Sequence, residues 1–241
     1  MSRSHPRVLL IQIRDDDHVA DHELLCFRER LELPIDAITT VNVVRGADLS
    51  AGVLRAHDAI LVGGAGAHSA TDNDPFVQPL IDAILRTIDL DIPMFGSCYG
   101  HQIIARALGG EVITDHATSE VGGFSVTTTA HADDDALFEP IAGTFDVLMG
   151  HHDRVAALPD MCRELAYSDR CRNQAFRVVG RSVWGTQFHA ELTPGRLIER
   201  LSVYRQYVPA DEEFGAMKED LVETPVAATI LQRFLDLVRA S

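Results

Sequence analysis

An apolar run that passes into a helical pattern through a cysteine flanked by glycines constrains this fold more than any other feature. Residues 93–96 have the composition of a short buried strand, and residues 99–108 carry apolar side chains at helical spacing. The junction between them is Gly-Ser-Cys-Tyr-Gly, with Cys98 at its centre. This order is typical of a nucleophile elbow, in which a strained residue projects from the carboxyl end of a sheet.

The two glycines and the start of the helix would give such an elbow its chemistry. A Cβ at Gly96 or Gly100 would clash with the neighbouring strand or helix, so glycine is needed at both positions. The first N–H groups of the helix and its dipole favour a thiolate and stabilise an anion. These residues alone leave open a second interpretation, in which Cys98 is a small buried side chain at a tight corner.

Other apolar runs predict the fold around this junction. Residues 8–13 (VLLIQI) and 59–62 (AILV) are continuous apolar runs of strand length, as in strands covered on both faces. Residues 21–33 and 75–88 have helical patterns. The alternation predicts an α/β fold with an open, largely parallel sheet and helices on both faces. Beyond Gly110, short β-rich runs separated by turn residues indicate an antiparallel part, so we expect a mixed sheet.

The length of 241 residues suits one large domain. We expect a single domain over residues 1–241, with a catalytic core of about residues 8–207 and a helical C-terminal tail of about residues 208–241. Within that tail, residues 211–223 carry six acidic side chains and are expected to form a solvated helix or loop.

The acidic balance of the chain argues against one class of partner. With a formal net charge of −15, nucleic-acid binding over a broad surface is not expected, because phosphate contacts need clustered Lys and Arg. No apolar run reaches the length of a membrane span, and residues 1–7 lack an apolar signal core. We therefore expect a cytoplasmic protein with four free cysteines, a Cys162–Cys171 disulfide being the alternative.

His189 is the candidate base for Cys98, because it ends the run VWGTQF (residues 183–188), which has the pattern of a buried strand. A histidine at the carboxyl end of a strand belongs on the same sheet edge as Cys98. Glu191, two residues on, can reach the other imidazole nitrogen, fix its tautomer and support its positive charge. Alone, His189 is as readily a buried core histidine. Together with the elbow, the pair indicates nucleophilic catalysis.

A second pair of histidines suggests a different site. His18 and His22 are four residues apart, close to Asp21 and Glu23, and such spacing suits a metal ion. An acidic, solvated start of a helix is the simpler interpretation. Since no distant third ligand is specified, we expect no metal site.

Attack of a thiolate on a carbonyl needs N–H donors for the developing oxyanion. One is the backbone N–H of Tyr99, the residue after the candidate nucleophile. The loop Gly-Gly-Ala-Gly (residues 63–66) directly follows a strand and is the candidate for the other, since glycine lets the backbone approach a substrate. Such a loop can also cradle phosphate. The chain lacks both GxGxxG and GxxxxGK(S/T), so we expect no nucleotide and no other cofactor.

Four separated motifs, in this order, resemble those of the class I (triad) glutamine amidotransferases: GGAG, GSCYGHQ, MGHHDRV and AFRV with VWGTQFHAEL. The resemblance extends from Val8 to about Glu191. It implies a flavodoxin-like amidotransferase fold and hydrolysis of the side-chain amide of glutamine to glutamate and ammonia. The ammonia would pass to a synthetase domain or subunit, and this chain has no synthetase motif of its own.

The resemblance also implies roles for individual residues. Cys98 would be the nucleophile, His189 the base and then the acid, and Glu191 the residue that orients it. Gly64 and Tyr99 would be the oxyanion donors. The contacts to glutamine would come from Gly66, Gln102 and the backbone of the loop that contains His152 and Asp153. The family usually has proline where Ala65 and Ala190 stand and often has glycine where His152 stands, which leaves the shape of the glutamine pocket open.

Three rival interpretations stay open on the sequence. A stand-alone triad domain could be a γ-glutamyl peptidase or hydrolase with a more open pocket. It could be a regulatory relative that is inactive alone and acts through a partner. The related Cys-elbow peptidases and chaperones typically place histidine directly after the cysteine, where this chain has Tyr99. Among the amidotransferases, the HHDRV and QFHAE segments favour the subunit type that serves GMP synthesis, while other acceptors of ammonia stay open.

Overall fold

A computed structural model describes residues 5–208 and 210–240 as alternating strands and helices. The strands are β1 (Val8–Ile13), β2 (Ile38–Asn42), β3 (Ala59–Ala65), β4 (Met94–Ser97), β5 (Glu111–Thr114), β6 (Glu120–Thr128), β7 (Thr144–His151), β8 (Asp153–Ala157), β9 (Cys162–Tyr167), β10 (Ala175–Val178) and β11 (Val183–Thr186). The α-helices are α1 (Asp17–Leu31), α2 (Ala51–Arg55), α3 (Val77–Asp89), α4 (Tyr99–Ala107), α5 (Pro194–Val203), α6 (Asp211–Asp220) and α7 (Pro225–Ala240). Residues 1–4, part of the segment that lacks an apolar signal core, lie outside the described residues.

The strands form one large mixed sheet and a small antiparallel pair. The large sheet has the order β2-β1-β3-β4-β11-β10-β9-β6-β7. Its first five strands are parallel, whereas β11, β10, β9, β6 and β7 pair antiparallel. Strands β5 and β8 form the separate pair. The predicted combination of a parallel part and a later antiparallel part is confirmed.

Alternate residues of β1 enter two different hydrophobic cores, as expected for a strand covered on both faces. Val8 and Leu10 pack in a core with side chains of α1 and α7. Leu9 and Ile11 pack in a second core with side chains of α2, α3 and α4. The prediction of helices on both faces of the sheet is therefore confirmed.

The C-terminal helices pack against the rest of the chain. Helix α7 contributes Ile230, Leu231 and Phe234 to the core that contains Val8. Helix α6 lies against β6, where a Cβ at Gly122 would be 3.0 Å from Met217 Cγ. The acidic stretch thus begins with a helix that covers part of the sheet. Treatment of the whole chain as one domain stays a prediction.

Several element boundaries differ from the sequence expectation. The sequence does not predict β2, which lies at an edge of the sheet and has exposed central residues. Helix α1 starts four residues earlier than expected because Asp16 accepts hydrogen bonds from the N–H groups of His18 and Val19. The pattern of residues 194–207 predicts one amphipathic helix, but helix α5 ends at Val203 and a 3₁₀ turn, Arg205–Tyr207, follows it. Among the helices of the described residues, none is long and apolar enough to cross a membrane.

The junction between β4 and α4 is very closely packed. A Cβ at Gly100 would lie 2.1 Å from the carbonyl oxygen of Val62, and one at Gly96 would lie 2.5 Å from the carbonyl carbon of Gly100. Both contacts are with backbone, which has no room to yield. Glycine is therefore required on both sides of Cys98, as the sequence predicts.

We predict that Gly100→Ala lowers the free energy of unfolding by about 3 kcal/mol, because the added methyl overlaps the backbone of β3. Gly215→Ala is the matched control: it lies inside α6, nothing stands within 4 Å of its added Cβ, and it should stabilise by about 0.5–1 kcal/mol. Urea unfolding followed by circular dichroism measures both. Equal midpoints for the two variants would contradict this account of the junction.

Candidate active site

The carboxyl ends of β4 and β11 bring the three predicted triad residues to one edge of the sheet. These strands are parallel neighbours in which Ser97 is opposite Thr186. Cys98 therefore directly follows one strand, and its N–H donates to the Thr186 carbonyl at 2.8 Å. Three residues after the other strand, the His189 N–H donates to the carbonyl of Leu148 at 2.9 Å. Backbone hydrogen bonds thus fix both side chains on one edge.

Cys98 has the strained backbone expected of an elbow. Its φ is 52° and its ψ is −103°, a conformation that non-glycine residues rarely adopt. The residue is 5% exposed. Its sulfur lies 3.7 Å from Gln187 Nε2 and 3.9 Å from the carbonyl oxygen of Gly150.

His189 and Glu191 form a buried hydrogen-bonded pair, with 2.6 Å between Nδ1 and Oε1. Burial disfavours the charged imidazole, but the carboxylate of Glu191 and the sulfur of Cys98 outweigh it and raise the pKa of His189 to about 9. Burial likewise opposes ionisation of Glu191, yet His189 and Arg200 hold the pKa of its carboxyl well below the usual value. The pair can therefore hold and transfer a proton at the Nε2 side facing Cys98.

Two residues that the sequence does not single out hold Glu191 in place. Ser97 Oγ donates to Oε2 at 2.8 Å, and Arg200 Nη1 donates to Oε1 at 3.3 Å. Arg200 comes from α5 and is 6% exposed. The sequence contains one signal for this role: Arg200 lies among the apolar positions of an amphipathic helix. Arginine is rarely buried without a partner, so an arginine at such a position indicates a buried acidic partner.

The two predicted oxyanion donors differ in their surroundings. The N–H of Tyr99 belongs to the first residue of α4 and has no acceptor within the helix. The N–H of Gly64 instead donates to Glu23 Oε1 at 3.1 Å. A Cβ at Gly64 would point toward the site, 3.4 Å from His189 Cε1 and 3.9 Å from Cys98 Cβ. In this conformation Gly64 lies beside Cys98 while its N–H is bound to a carboxylate.

Glu23 itself belongs to a buried polar cluster behind the glycine loop. Arg14 Nη2 donates to Oε1 at 2.6 Å, and Gln12 Nε2 lies 3.3 Å from Oε2. Both charged residues are almost completely buried, Arg14 at 1% and Glu23 at 0% exposure. A Cβ at Gly63 would be 2.6 Å from Glu23 Oε1. Helix α1 therefore fixes the position of the glycine loop.

A cavity of about 250 Å³ opens beside Cys98. Every predicted contact residue for the substrate lines it: Gly66, Gln102, His152 and Asp153. Gln102 Nε2 donates to the Asp153 carbonyl at 2.7 Å and to Gln187 Oε1 at 3.0 Å. The cavity is therefore walled by groups whose orientation is already fixed.

The Asp153 side chain connects three segments of the chain. Its Oδ2 accepts from Ser69 Oγ at 2.6 Å and from the Ala70 N–H at 2.9 Å, and its Oδ1 accepts from Thr114 Oγ1 at 2.6 Å. These bonds occupy the carboxylate. A contact with substrate at this loop would accordingly use the backbone, as the family resemblance implies.

His152 forms part of an aromatic wall at the cavity. Its ring stacks on Tyr207 with centroids 4.7 Å apart, and it lies 4.9 Å from the ring of His116. Burial, together with the neighbouring His116, lowers the pKa of His152. The side chain that replaces the family's usual glycine thus stacks on Tyr207, a residue that the sequence does not mark.

The remaining candidates lie apart from this site. His22 on α1 contacts Glu199 Oε2 at 3.1 Å and Arg200 Nη2 at 3.4 Å. No group of three or more potential metal ligands occurs within residues 5–208 and 210–240. Cys26, Cys162 and Cys171 are buried free thiols, like Cys98, and burial raises the pKa of each of these three to about 12.

Comparisons of sequence connect this geometry with a known family. A family model described as glutamine amidotransferase class-I matches residues 35–201. A subunit of the glutamine-hydrolysing GMP synthase of Archaeoglobus fulgidus is 32% identical over 151 residues, covering 63% of this chain and 74% of that protein. The corresponding subunit from Methanobrevibacter smithii is 31% identical over 55% of this chain and 63% of its own length. The match to the glutamine-hydrolysing GMP synthase of Vibrio atlanticus, at 32% identity, covers 56% of this chain and 24% of that protein.

Comparison of structures gives the same fold. A glutamine amidotransferase from Thermotoga maritima has a TM-score of 0.78 at 22% identity, covering 99% of this chain and 100% of that one. A glutamine amidotransferase from Methylobacillus flagellatus has a TM-score of 0.71 at 19% identity, covering 97% of this chain and 95% of that one. The predicted α/β amidotransferase fold is confirmed.

The His189–Glu191 pair predicts a pH-dependent contribution to stability. The pKa of Glu191 is lowered, so its contribution to the free energy of unfolding is present above pH 4.5, the ordinary pKa of a glutamate. The pKa of His189 is raised, so its contribution is complete below pH 6.5, the ordinary pKa of a histidine, and is lost as the pH rises toward about 9. Glu191→Gln should therefore cost about 3 kcal/mol near pH 5.5 and less near pH 9.

Urea unfolding of both proteins at pH 5.5, 7 and 9 measures this difference. Asp236→Asn, which removes an exposed carboxylate of α7 paired with Arg239, is the control and should show little loss at any of these pH values. A loss for Glu191→Gln that does not change with pH would contradict the assignment of the ion pair.

Proposed function

The chain belongs to the class I glutamine amidotransferase family, and on that premise we propose that it hydrolyses the side-chain amide of glutamine to glutamate and ammonia. The observation that carries the proposal is the meeting of Cys98, His189 and Glu191 at one sheet edge, beside a cavity of about 250 Å³. A thiol, a base and a carboxylate that orients the base are the parts of a nucleophilic triad.

In the first step, the proton of the Cys98 thiol lies on His189 Nε2, the thiolate sulfur attacks the amide carbon, and a C–S bond forms. The charge that develops on the oxygen is stabilised by the Tyr99 N–H at the start of α4. The Gly64 N–H can donate to this oxygen only after it breaks its hydrogen bond to the Glu23 carboxylate. His189 then gives its proton to the amide nitrogen, the C–N bond breaks, and ammonia leaves.

In the second step, water replaces ammonia. His189, now neutral, accepts a proton from the water, whose oxygen attacks the thioester carbon. The C–S bond breaks, the sulfur leaves as thiolate, and glutamate is released. Glu191 holds Nδ1 throughout, so Nε2 carries out both proton transfers.

The walls of the large cavity supply the binding of the amino-acid end. The backbone of residues 151–153 and the glycine at position 66 approach the cavity, and Gln102 closes it from α4. Hydrogen bonds hold the Gln102 side chain and the Asp153 carboxylate in place. The groups that would contact the amino-acid end are therefore positioned before substrate enters.

The ammonia would serve a separate synthetase. Two relatives are named as subunits of a glutamine-hydrolysing GMP synthase, and the longer Vibrio relative matches this chain over about a quarter of its length. We therefore place the chain as the glutamine-hydrolysing part of a GMP synthase. Such a role suits the cytoplasm, where the buried cysteines stay reduced.

We predict that Cys98→Ala lowers glutamine hydrolysis by about 10⁴-fold or more, because the covalent route is lost. Cys162→Ala is the matched control, since it removes a buried thiol of β9 outside the site and should retain activity. Ammonia release from glutamine measures both, with circular dichroism to verify folding. Equal rates for Cys98→Ala and the wild type would contradict the proposal.

A second experiment tests the ammonia acceptor. With the synthetase from the same source, we expect GMP formation from glutamine in the wild type, none from glutamine in Cys98→Ala, and equal formation in both from added ammonium. Glutamine hydrolysis with GMP formed from added ammonium but not from glutamine would retain the amidotransferase and contradict GMP synthesis. GMP formation from glutamine in Cys98→Ala would contradict the role of the thiol.

A further inference from the structure

Two cavities of very different size meet at Cys98. The larger one is lined by Tyr99, Gln102 and the loop of residues 151–153, and it is the side on which the glutamyl part would bind. The smaller one is lined by His189 and Gly64 as well as Cys98. Because His189 must protonate the departing nitrogen, the leaving group has to lie on the side of this smaller cavity.

The smaller cavity has a volume of about 20 Å³. A water molecule needs roughly 10–15 Å³ on this measure, so the space suits one molecule of water or ammonia. A substituted amine, such as the nitrogen of a second amino acid, does not fit. The site therefore has a spacious acyl side and a closed leaving-group side.

One face of α5 and the turn after it close the leaving-group side. Leu197, Leu201 and Tyr204 are spaced four and three residues apart, and all three line the small cavity. The two leucines are buried. The ring of Tyr204 packs directly on the glycine loop, since a Cβ at Gly66 would lie 2.1 Å from Tyr204 Cζ.

Polar contacts hold α5 in this position. Arg196 Nη2 donates to Glu29 Oε1 of α1 at 2.8 Å, and Glu199 contacts His22 of α1 at 3.1 Å. Gln206, in the turn after α5, donates from Nε2 to the Gly66 carbonyl at 3.1 Å. Tyr204 is thus held from both ends, by the helix before it and by the turn after it.

Two buried guanidinium groups make the small cavity suitable for a neutral acceptor of hydrogen bonds. Arg14 and Arg200 both line it, and the Nε atom of each is buried without a hydrogen-bond partner among the described residues. Ammonia and water can accept from such donors through a lone pair. An alkyl group attached to the nitrogen would instead place apolar surface beside these two buried charges, which costs binding.

We propose that Tyr204 is a specificity-determining residue that restricts the leaving group to ammonia. The site then cleaves the unsubstituted amide of glutamine and excludes γ-glutamyl amides and peptides that carry a substituent on the nitrogen. This inference rests on the proposed glutaminase function and names the substrate class of that site. It also separates glutamine hydrolysis from the γ-glutamyl peptidase activity that the sequence leaves open.

The test compares glutamine, γ-glutamyl methylamide and γ-glutamylglycine as substrates, with the synthetase present. In the wild type, kcat/KM should fall by about 100-fold or more from glutamine to the methylamide. Tyr204→Ala should narrow that ratio by about tenfold, because the ring no longer fills the leaving-group side. Tyr204→Phe loses the hydroxyl contact with Arg14 but keeps the ring, so it should keep the wild-type ratio.

Ser202→Ala is the matched control, since Ser202 is exposed on the opposite face of α5 and should leave every rate unchanged. If Tyr204→Ala does not fold, Leu201→Ala enlarges the same cavity and is judged by the same ratio. The proposal would be overturned if the wild-type kcat/KM for glutamine and for the methylamide differed by less than about tenfold. It would also be overturned if a folded Tyr204→Ala or Leu201→Ala variant kept the wild-type ratio; in both cases glutamine hydrolysis itself would stand. Absence of glutamine hydrolysis in the wild type would overturn the function on which it rests.

Discussion

The contact between the backbone of α4 and that of β3 is the constraint on which the site depends. Gly100 approaches the carbonyl of Val62 so closely that only a hydrogen fits at its Cα. The chain must therefore turn within two residues, and Cys98 takes up a φ of 52°. Its N–H bond to Thr186 then ties the turn to β11, the strand that leads to His189. Packing of backbone against backbone thus determines where the thiol and the imidazole meet.

Buried charge provides the second layer of support. Two carboxylates with almost no exposure, Glu23 and Glu191, each pair with a buried arginine, and each also contacts a group at the proposed site. Burial of such pairs costs free energy that their attraction only partly offsets, so stability alone is a weak reason for them. Their positions suggest another reason: Glu191 orients His189, while Glu23 binds the Gly64 N–H and packs on Gly63. The electrostatics of the site thus comes partly from helices α1 and α5.

The sequence predicts those parts of the molecule whose cause is local. The strands β1, β3 and β4 are continuous apolar runs, the elbow is a short pattern of glycines, and His189 with Glu191 follows a buried strand. Strand β2 could not be predicted because an edge strand with an exposed centre has no apolar run to reveal it. The roles of Glu23 and Tyr204 could not be predicted for a different reason: each packs on the glycine loop, which is far away in sequence, so only the folded arrangement shows the contact. Arg200 lies only nine residues after Glu191, and its place within the apolar spacing of α5 is its one sequence signal.

The proposed chemistry and the proposed selection of the leaving group depend on different parts of this chain. The family model spans residues 35–201, which contain Cys98, His189 and Glu191. Glu23, which binds the glycine loop, precedes that span, while Tyr204 and Tyr207, which wall the two cavities, follow it. Changes in these flanking segments can alter the volume beside the thiol without moving a triad residue, because the triad is fixed by the register of β4 and β11. If the proposed function holds, one catalytic arrangement can therefore accept different leaving groups, according to which residues pack on it from these flanking segments.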